Sequence, residues 1–434
     1  MALRLLAAAI IPVTLLVCAE NGAVPAHRQD TGRARVEAAD PVSPQALGWT
    51  ADQLLAARRY SRGRWALLLA QALGGIALLA AMTRLGIAGR LQRRLSRRLP
   101  EGWRMDLVVA AAVLAALGAA RFPLLAARRW REQAYGFSTQ RTSAWLADQA
   151  LSHALEMALG LAVVVALWAL IRRMPRWWWA AASGAGAALA VLLAAVLPVL
   201  VAPLFNTFRP LPEGDVRDRV LALARAGGAP GAEVYTVDAS RRTAHDNAYV
   251  TGLLGTERIV LYDTLLSGYT PGEVEFVVGH ELGHHVERHV AVGVAAGSLA
   301  LAFGLWLLHR LQDRVVAAAG PGPSCGSLRS IAALPAVLLF LALYGFALQP
   351  AAAGVSRHLE RRADLHALRT AAGRPGGLED GLSSFQKMAA RNLSDPDPPA
   401  WIEWWLFTHP SPGRRIRLCA EWLARESQAP SAPI

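Results

Sequence analysis

Long runs of mainly apolar residues, most of them about 17 to 25 positions in length, constrain this chain more than any other feature. They fall at roughly 4–19, 65–84, 107–127, 152–171, 177–203, 290–309 and 331–353. A helix needs about 20 such residues to cross a hydrocarbon core. Ala, Leu, Val and Gly fill the runs without amphipathic spacing, which favours membrane spans over the core helices of a soluble protein. The expected fold is therefore mainly α: a polytopic membrane protein of about seven transmembrane helices. The run at 4–19 stands apart. A lone Arg4, an apolar stretch and a polar continuation fit either a cleavable signal or a first anchor.

The net charge of +13 comes almost entirely from arginine, much of it within a few residues of the apolar runs. That placement reads as topology signal and lipid-headgroup contact. No interleaving of aromatic and basic residues and no nucleic-acid module accompanies it, so nucleic acid is not an expected partner. Cys18, Cys325 and Cys419 are widely separated, follow no metal-ligand spacing and support neither a disulfide framework nor a thiolate site.

Two polar regions interrupt the apolar pattern. In the first, about 204–289, residues 215–227 have the spacing of a short amphipathic helix. Glu233 to Val237 and Arg258 to Tyr262 read as two strands rich in β-branched and aromatic side chains. Thr270-Pro271-Gly272-Glu273 then gives an N-cap, a proline at the first helical position and an early acid, all of them helix-start signals. The second region, 354–434, opens on a strongly charged helix at about 355–370. It continues through a Gly/Pro break and a Trp-rich stretch to a basic tail.

The helix that begins near Pro271 carries His280-Glu281-Leu282-Gly283-His284. Positions i and i+4 share a helix face, so both imidazoles can reach one cation, with Glu281 projecting beside it. Zinc lowers the pKa of a bound water from about 15.7 to about 7, so a carboxylate base suffices at neutral pH. His285 and His289 repeat the spacing about 100° around the helix but lack the adjacent Glu, and read as a solvated or interfacial face. A catalytic zinc takes three protein ligands. The two spans after His284 return the chain to the same membrane face, and what returns is Ser356 to Asp364. There Glu360 can be the third ligand, and Asp364 can accept a hydrogen bond from a ligating imidazole. The same i, i+4 acids also fit a salt-bridge lattice with the neighbouring arginines; the return topology favours ligation.

With these residues in place the chain resembles the type I CAAX prenyl protease family, integral-membrane zinc endopeptidases. The resemblance runs in order from about 55 to 425. It includes Tyr135 to Ser138 and Trp145 to Gln149, Pro203 to Asn206 with Leu211 to Gly214, and Ser240 to His245 followed by Asn247 to Gly252. It ends with Ser356 to Asp364, Asn392 to Ser394, and Thr408 to Pro412 with Arg415. The family pattern implies a gluzincin-like zinc peptidase domain with a small β-sheet, binding one Zn2+ per chain through His280, His284 and Glu360. Glu281 would be the general base and His409 the oxyanion donor. Arg415 and Asp364 would support them, and substrate backbone would pair at Asn247 and Ala248. The spans would enclose a chamber onto which the metal site faces.

On this reading 1–64 is an anchor or signal segment with a polar linker, and 65–203 an N-terminal transmembrane region. Residues 204–289 form the catalytic insert, 290–353 a transmembrane hairpin, and 354–434 a C-terminal region with the third ligand. The partners implied are the lipid bilayer and a peptide or protein substrate, prenylated in the family's named case. The Ala- and Arg-rich composition reads as that of a high-GC bacterial genome and a bacterial cell membrane, where such lipidated substrates are doubtful. Broad clearance of membrane proteins needs the same site and is the alternative. Arginine-bearing loops fall on both sides, so the positive-inside rule leaves orientation open. A transporter would place its ionisable groups inside the spans; here they lie mainly at span ends and in the inserts. An inactive scaffold would not need Glu281, Glu360 and Asp364 together.

Overall fold

The membrane-length runs fold as helices that overshoot the apolar stretches at both ends. The computed structural model describes residues 42–43, 46–251, 257–318 and 326–428. In chain order the first part comprises α1 (Ala51–Arg84), a short α2 (Ile87–Leu95), α3 (Trp103–Ala134), α4 (Thr142–Arg173) and α5 (Trp178–Val196). A π turn and a 3-10 turn extend α5 to Leu204. The insert follows with β1 (Phe208–Pro210), α6 (Asp215–Ala226), β2 (Glu233–Val237), β3 (Ala248–Thr251), β4 (Arg258–Tyr262), α7 (Asp263–Gly268) and α8 (Pro271–Val286). The chain then re-enters the apolar region as α9 (His289–Ala318) and α10 (Leu334–Ala372). It finishes with α11 (Gly377–Arg391), α12 (Ala400–Leu406) and α13 (Pro412–Gln428).

Among the described residues six helices are long and apolar enough to cross a membrane: α1, α3, α4, α5 with its extension, α9 and α10. The protein is thus an integral membrane protein, mainly helical, with a small mixed sheet. The seventh apolar run, 4–19, lies outside the described residues, as do Cys18 and Cys325. Cys419 is a buried free thiol. Helix α1 starts at Ala51, upstream of the run at 65, because Thr50 and Gln53 form a reciprocal capping box there.

Counting crossings separates two polar ends, and the contacts agree. At one end the loop between α3 and α4 meets the insert: the Ala244 N–H donates to Phe137 O (3.0 Å) and Thr139 Oγ1 to Ser240 O (2.8 Å). At the other, Ser330 donates to Gln92 of α2 (2.9 Å), and Arg172 grips buried Asp106 through two bonds of 2.5 and 2.6 Å. Among the described residues an ion pair does lie within the spans, where Arg121 of α3 meets Glu156 of α4 at 3.2 Å. An unpaired charge at that depth is costly, so the pair neutralises itself across the helix interface.

Both strands read from sequence form with the expected bounds, and β1 and β3 join them in the order β1-β2-β4-β3. β2 and β4 are parallel, while β1 and β3 pair antiparallel outside them. Among the described residues β3 is therefore an edge, packed beside α8.

The last span differs from the sequence expectation of an apolar segment followed by a separate charged helix. It is one rod, α10, running through Pro350. A proline removes one backbone bond and kinks a helix, but neighbouring helices support it; α10 is the most enclosed span, with 56% of its apolar window buried. The rod carries Glu360 and Asp364 straight out of the spanning region and against α8. Contact there depends on glycine. A Cβ on Gly283 would lie 3.0 Å from Ala363 Cα and 3.0 Å from His366 Cβ, whereas one on Gly279 would meet Ala367 at 3.7–3.8 Å. Gly283→Val should therefore lower stability by about 1–3 kcal/mol, read as a drop in the unfolding midpoint in detergent. Gly279→Ala should hold or raise the midpoint. Equal destabilisation by both would contradict this packing.

Candidate metal centre

Helix α8 is fixed at its start before any ligand appears. Thr270 Oγ1 accepts from Glu273 N (3.3 Å), and Glu273 Oε2 accepts from Thr270 N (2.8 Å), closing a capping box. Glu273 is buried and also takes Ser383 Oγ at 2.5 Å and Lys387 Nζ at 2.8 Å, which ties the helix to α11. Two and three turns on, His280 and His284 project from one face.

The two Nε2 atoms lie 3.2 Å apart. Glu360 reaches them from α10, with Oε2 3.3 Å from His280 Nε2 and Oε1 3.6 Å from His284 Nε2. All three donor atoms fall within 4.8 Å of one another, so His280, His284 and Glu360 form a cluster that can hold a metal ion. The donors themselves test the fit. Glu360 is 2% exposed, and its Oε2 has no hydrogen-bond partner. Lone pairs converging this closely repel unless a proton or a cation lies between them. Two imidazole nitrogens and one carboxylate match the donor set of catalytic zinc, with further coordination positions left open.

Behind His280, Nδ1 is 2.8 Å from Asp364 Oδ1, and Arg415 bonds the same carboxylate at 2.5 and 3.0 Å. The Arg415 guanidinium stacks over Phe385 at 4.3 Å. Burial works against the His280 imidazolium, but hydrogen bonds to Asp364 and Glu360 overcome it and hold its pKa at about 10. Glu281 makes no ion pair or hydrogen bond among the described residues. Withdrawal from water raises its carboxyl above the usual carboxylate range, against the pull of His280 and His284. His409 has Nε2 3.2 Å from Glu360 Oε2 and Nδ1 3.0 Å from Thr408 Oγ1, and burial depresses its pKa. A cavity of about 390 Å³ reaches His409 and Arg415 from between α1, α3 and α10. Leu67, Leu68, Ile76 and Leu124 give it apolar walls, and Arg64, Arg128 and Arg131 line it as well.

Comparison with known proteins agrees with this geometry. The family described as Peptidase family M48 matches residues 210–423. The one described as CAAX prenyl protease N-terminal, five membrane helices, matches residues 36–207. The chain belongs to the M48 CAAX prenyl protease family. Among relatives of this family, a Bacillus subtilis protein named "Uncharacterized metalloprotease YhfN" is 33% identical over 65% of this chain and 66% of its own. An Arabidopsis thaliana "CAAX prenyl protease 1 homolog" is 30% identical over 66% of each. The chain thus spans just under two thirds of the length of these two curated relatives. The crystal structure of S. mikatae Ste24p shares the fold, with a TM-score of 0.72 at 22% identity, over 85% of this chain and 89% of that one.

Within this M48 frame, His280, His284, Glu360, Glu281, Asp364, Arg415 and His409 come together. Ala248 is the first residue of the edge strand β3, and Asn247 precedes it. The Asn247 carbonyl accepts from Tyr262 N at 3.0 Å, and its Oδ1 accepts from Ala248 N at 3.0 Å. Just upstream, buried Asp246 is paired with Arg391 of α11 at 2.5 Å.

The expectation for His289 needs correction. It is not on a solvated face but 6% exposed, with Nδ1 2.8 Å from His284 Nδ1. The i, i+4 reading assumed one continuous helix. Arg288 instead adopts a left-handed backbone (φ 53°), which ends α8 and folds His289 back. Only His285 is left half-exposed.

Because a cation must displace the His280 proton, affinity for a divalent ion such as zinc should rise steadily between about pH 6 and 9, releasing about one proton per ion. Indicator titrations in weak and strong buffers read both quantities. An affinity flat across that range would contradict the ion pairing around His280.

Proposed function

We propose that this protein is a membrane-embedded zinc endopeptidase, with Glu281 as general base. The reading is carried by one observation: two imidazoles and a buried carboxylate from separate helices converge, with an unpartnered Glu281 adjacent on the same helix. Zinc held by His280, His284 and Glu360 would polarise the scissile carbonyl and lower the pKa of water. Glu281, its pKa already raised, would take the proton from the attacking water and deliver it to the leaving amine. His409 would donate to the developing oxyanion, a contact of about 3–4 kcal/mol in comparable sites. Asp364, clamped by Arg415, would keep the His280 ring in place through Nδ1. An extended substrate would add its backbone along β3 near Asn247 and Ala248.

For substrate, the apolar-walled cavity leading to His409 and the relatives named CAAX prenyl protease support the C-terminal segment of a prenylated protein. Clearance of membrane proteins without lipid selectivity is the alternative within the same chemistry, and the Bacillus relative, named simply as a metalloprotease, is compatible with it.

The test pairs metal content with cleavage for the detergent-purified protein and Glu281→Gln, on a farnesylated CAAX peptide and its unprenylated twin. Stoichiometric zinc is expected in both proteins, with cleavage reduced by about 10²–10⁴-fold in the variant. Preference for the farnesylated peptide supports the CAAX reading; equal cleavage of the twins supports the broader one. Full activity in Glu281→Gln, or folded wild type without affinity for zinc, would refute the peptidase assignment.

A further inference from the structure

We propose that His289 is a positioning residue for the metal ligand His284: its Nδ1 accepts the Nδ1 proton of His284, so that Nε2 of that ring is the atom offered to the cation. The inference rests on the zinc reading above and adds to it a second support, independent of Asp364.

The tautomers follow from the distances. His284 presents Nε2 to the cluster, 3.2 Å from His280 Nε2 and 3.6 Å from Glu360 Oε1. A neutral imidazole with its lone pair at Nε2 carries its proton on Nδ1. That Nδ1 is 2.8 Å from Nδ1 of His289, with the rings 75° apart, so the His289 nitrogen must be the acceptor. His289 is then neutral and protonated on Nε2. That atom is buried without a hydrogen-bond partner, and the nearest acid is Glu287, whose Oε2 is 3.9 Å away. Arg362 holds Glu287 at 2.5 Å, and Arg362 belongs to α10, the helix that bears Glu360. The negative side chain beside Nε2 favours the tautomer that the contact to His284 requires.

The backbone is built for this contact. A left-handed backbone is unfavourable for a residue with a Cβ, and Arg288 occupies it at the point where α8 must stop for His289 to turn back. A continuous helix would put His289 about 140° around from His284, away from its Nδ1. Metal-binding histidines generally need a partner on the other ring nitrogen, and loss of one weakens metal binding by about 10–100-fold.

The experiment measures zinc dissociation constants by competition with a chelating indicator for the full-length protein in detergent. Wild type is compared with His289→Phe, which keeps a ring but has no acceptor, and His289→Asn, whose Oδ1 stands near the position of Nδ1. The Phe variant should bind zinc about 10–100-fold more weakly and the Asn variant within about threefold of wild type. Unfolding midpoints of the metal-stripped proteins should stay alike. Unchanged affinity in His289→Phe, or an Asn variant as weak as Phe, would overturn the proposal.

A readout on wild type needs no variant to fold. In the ¹⁵N-histidine spectrum of the zinc-loaded protein, His284 Nδ1 should be protonated and His289 Nδ1 unprotonated; the reverse would overturn it. Folded wild type that binds no zinc removes the metal centre itself, and this proposal with it, whereas normal wild-type binding with an insensitive Phe variant removes this proposal alone.

Discussion

Everything at the site depends on how closely α8 approaches α10. His280 and His284 lie on one helix, Glu360 and Asp364 on the other, and no loop joins the two pairs directly. Bringing imidazole nitrogens to 3.3–3.6 Å from a carboxylate requires the backbones nearly to touch, which Gly283 against Ala363 allows. The capping box at Thr270 and the bonds from Glu273 to α11 hold α8 along its axis. Continuity of α10 through Pro350 does the same from the membrane side. The cluster is thus set by two rigid helices, the kind of support a precise metal site needs.

Burial sharpens the distinction between structural and functional charge. Asp106 is paired with Arg172, Asp246 with Arg391, Asp364 with Arg415, and Glu273 with Lys387. Each carboxylate has a permanent cation, as desolvated charges require. Glu360, equally buried, has as its ion-pair partners among the described residues the imidazoles of His280, His284 and His409. That sets it apart from an arginine lattice and fits a cluster that can hold a metal ion.

Much of this was legible in the sequence wherever the signal was local or periodic. The apolar runs gave six spans, β-branched stretches gave β2 and β4, and Thr270-Pro271-Gly272-Glu273 marked the start of α8. Counting crossings brought Ser356 to Asp364 to the correct face. What escaped was non-local or conformational. β1, at three residues, is too short for periodicity to register, and β3, at four, was expected only through the family resemblance, as the place where substrate backbone pairs. Pro350 and the change from apolar to charged residues made one helix look like two. The pair Arg121–Glu156 is neutral only in three dimensions. His289 was misassigned because left-handed backbone at an arginine carries no compositional mark, and a single such residue rotates everything after it out of helical register.

A charge count explains why the second support is an imidazole rather than another acid. Glu360, Glu281 and Asp364 contribute three negative charges and Arg415 one positive. A divalent cation brings the sum to zero, which suits a site withdrawn from water. A carboxylate at 289 would make that sum negative and strengthen the field on the cation, opposing its action on a carbonyl. Neutral His289 fixes the His284 ring by hydrogen bonding without adding charge. Asp364 can be an acid because Arg415 neutralises it, and Glu287, which is an acid, is kept one residue farther out and paired with Arg362 at 2.5 Å. The asymmetry between the two histidine supports is thus what a neutral, buried metal site would require where Arg415 is the arginine that, among the described residues, pairs with its acids.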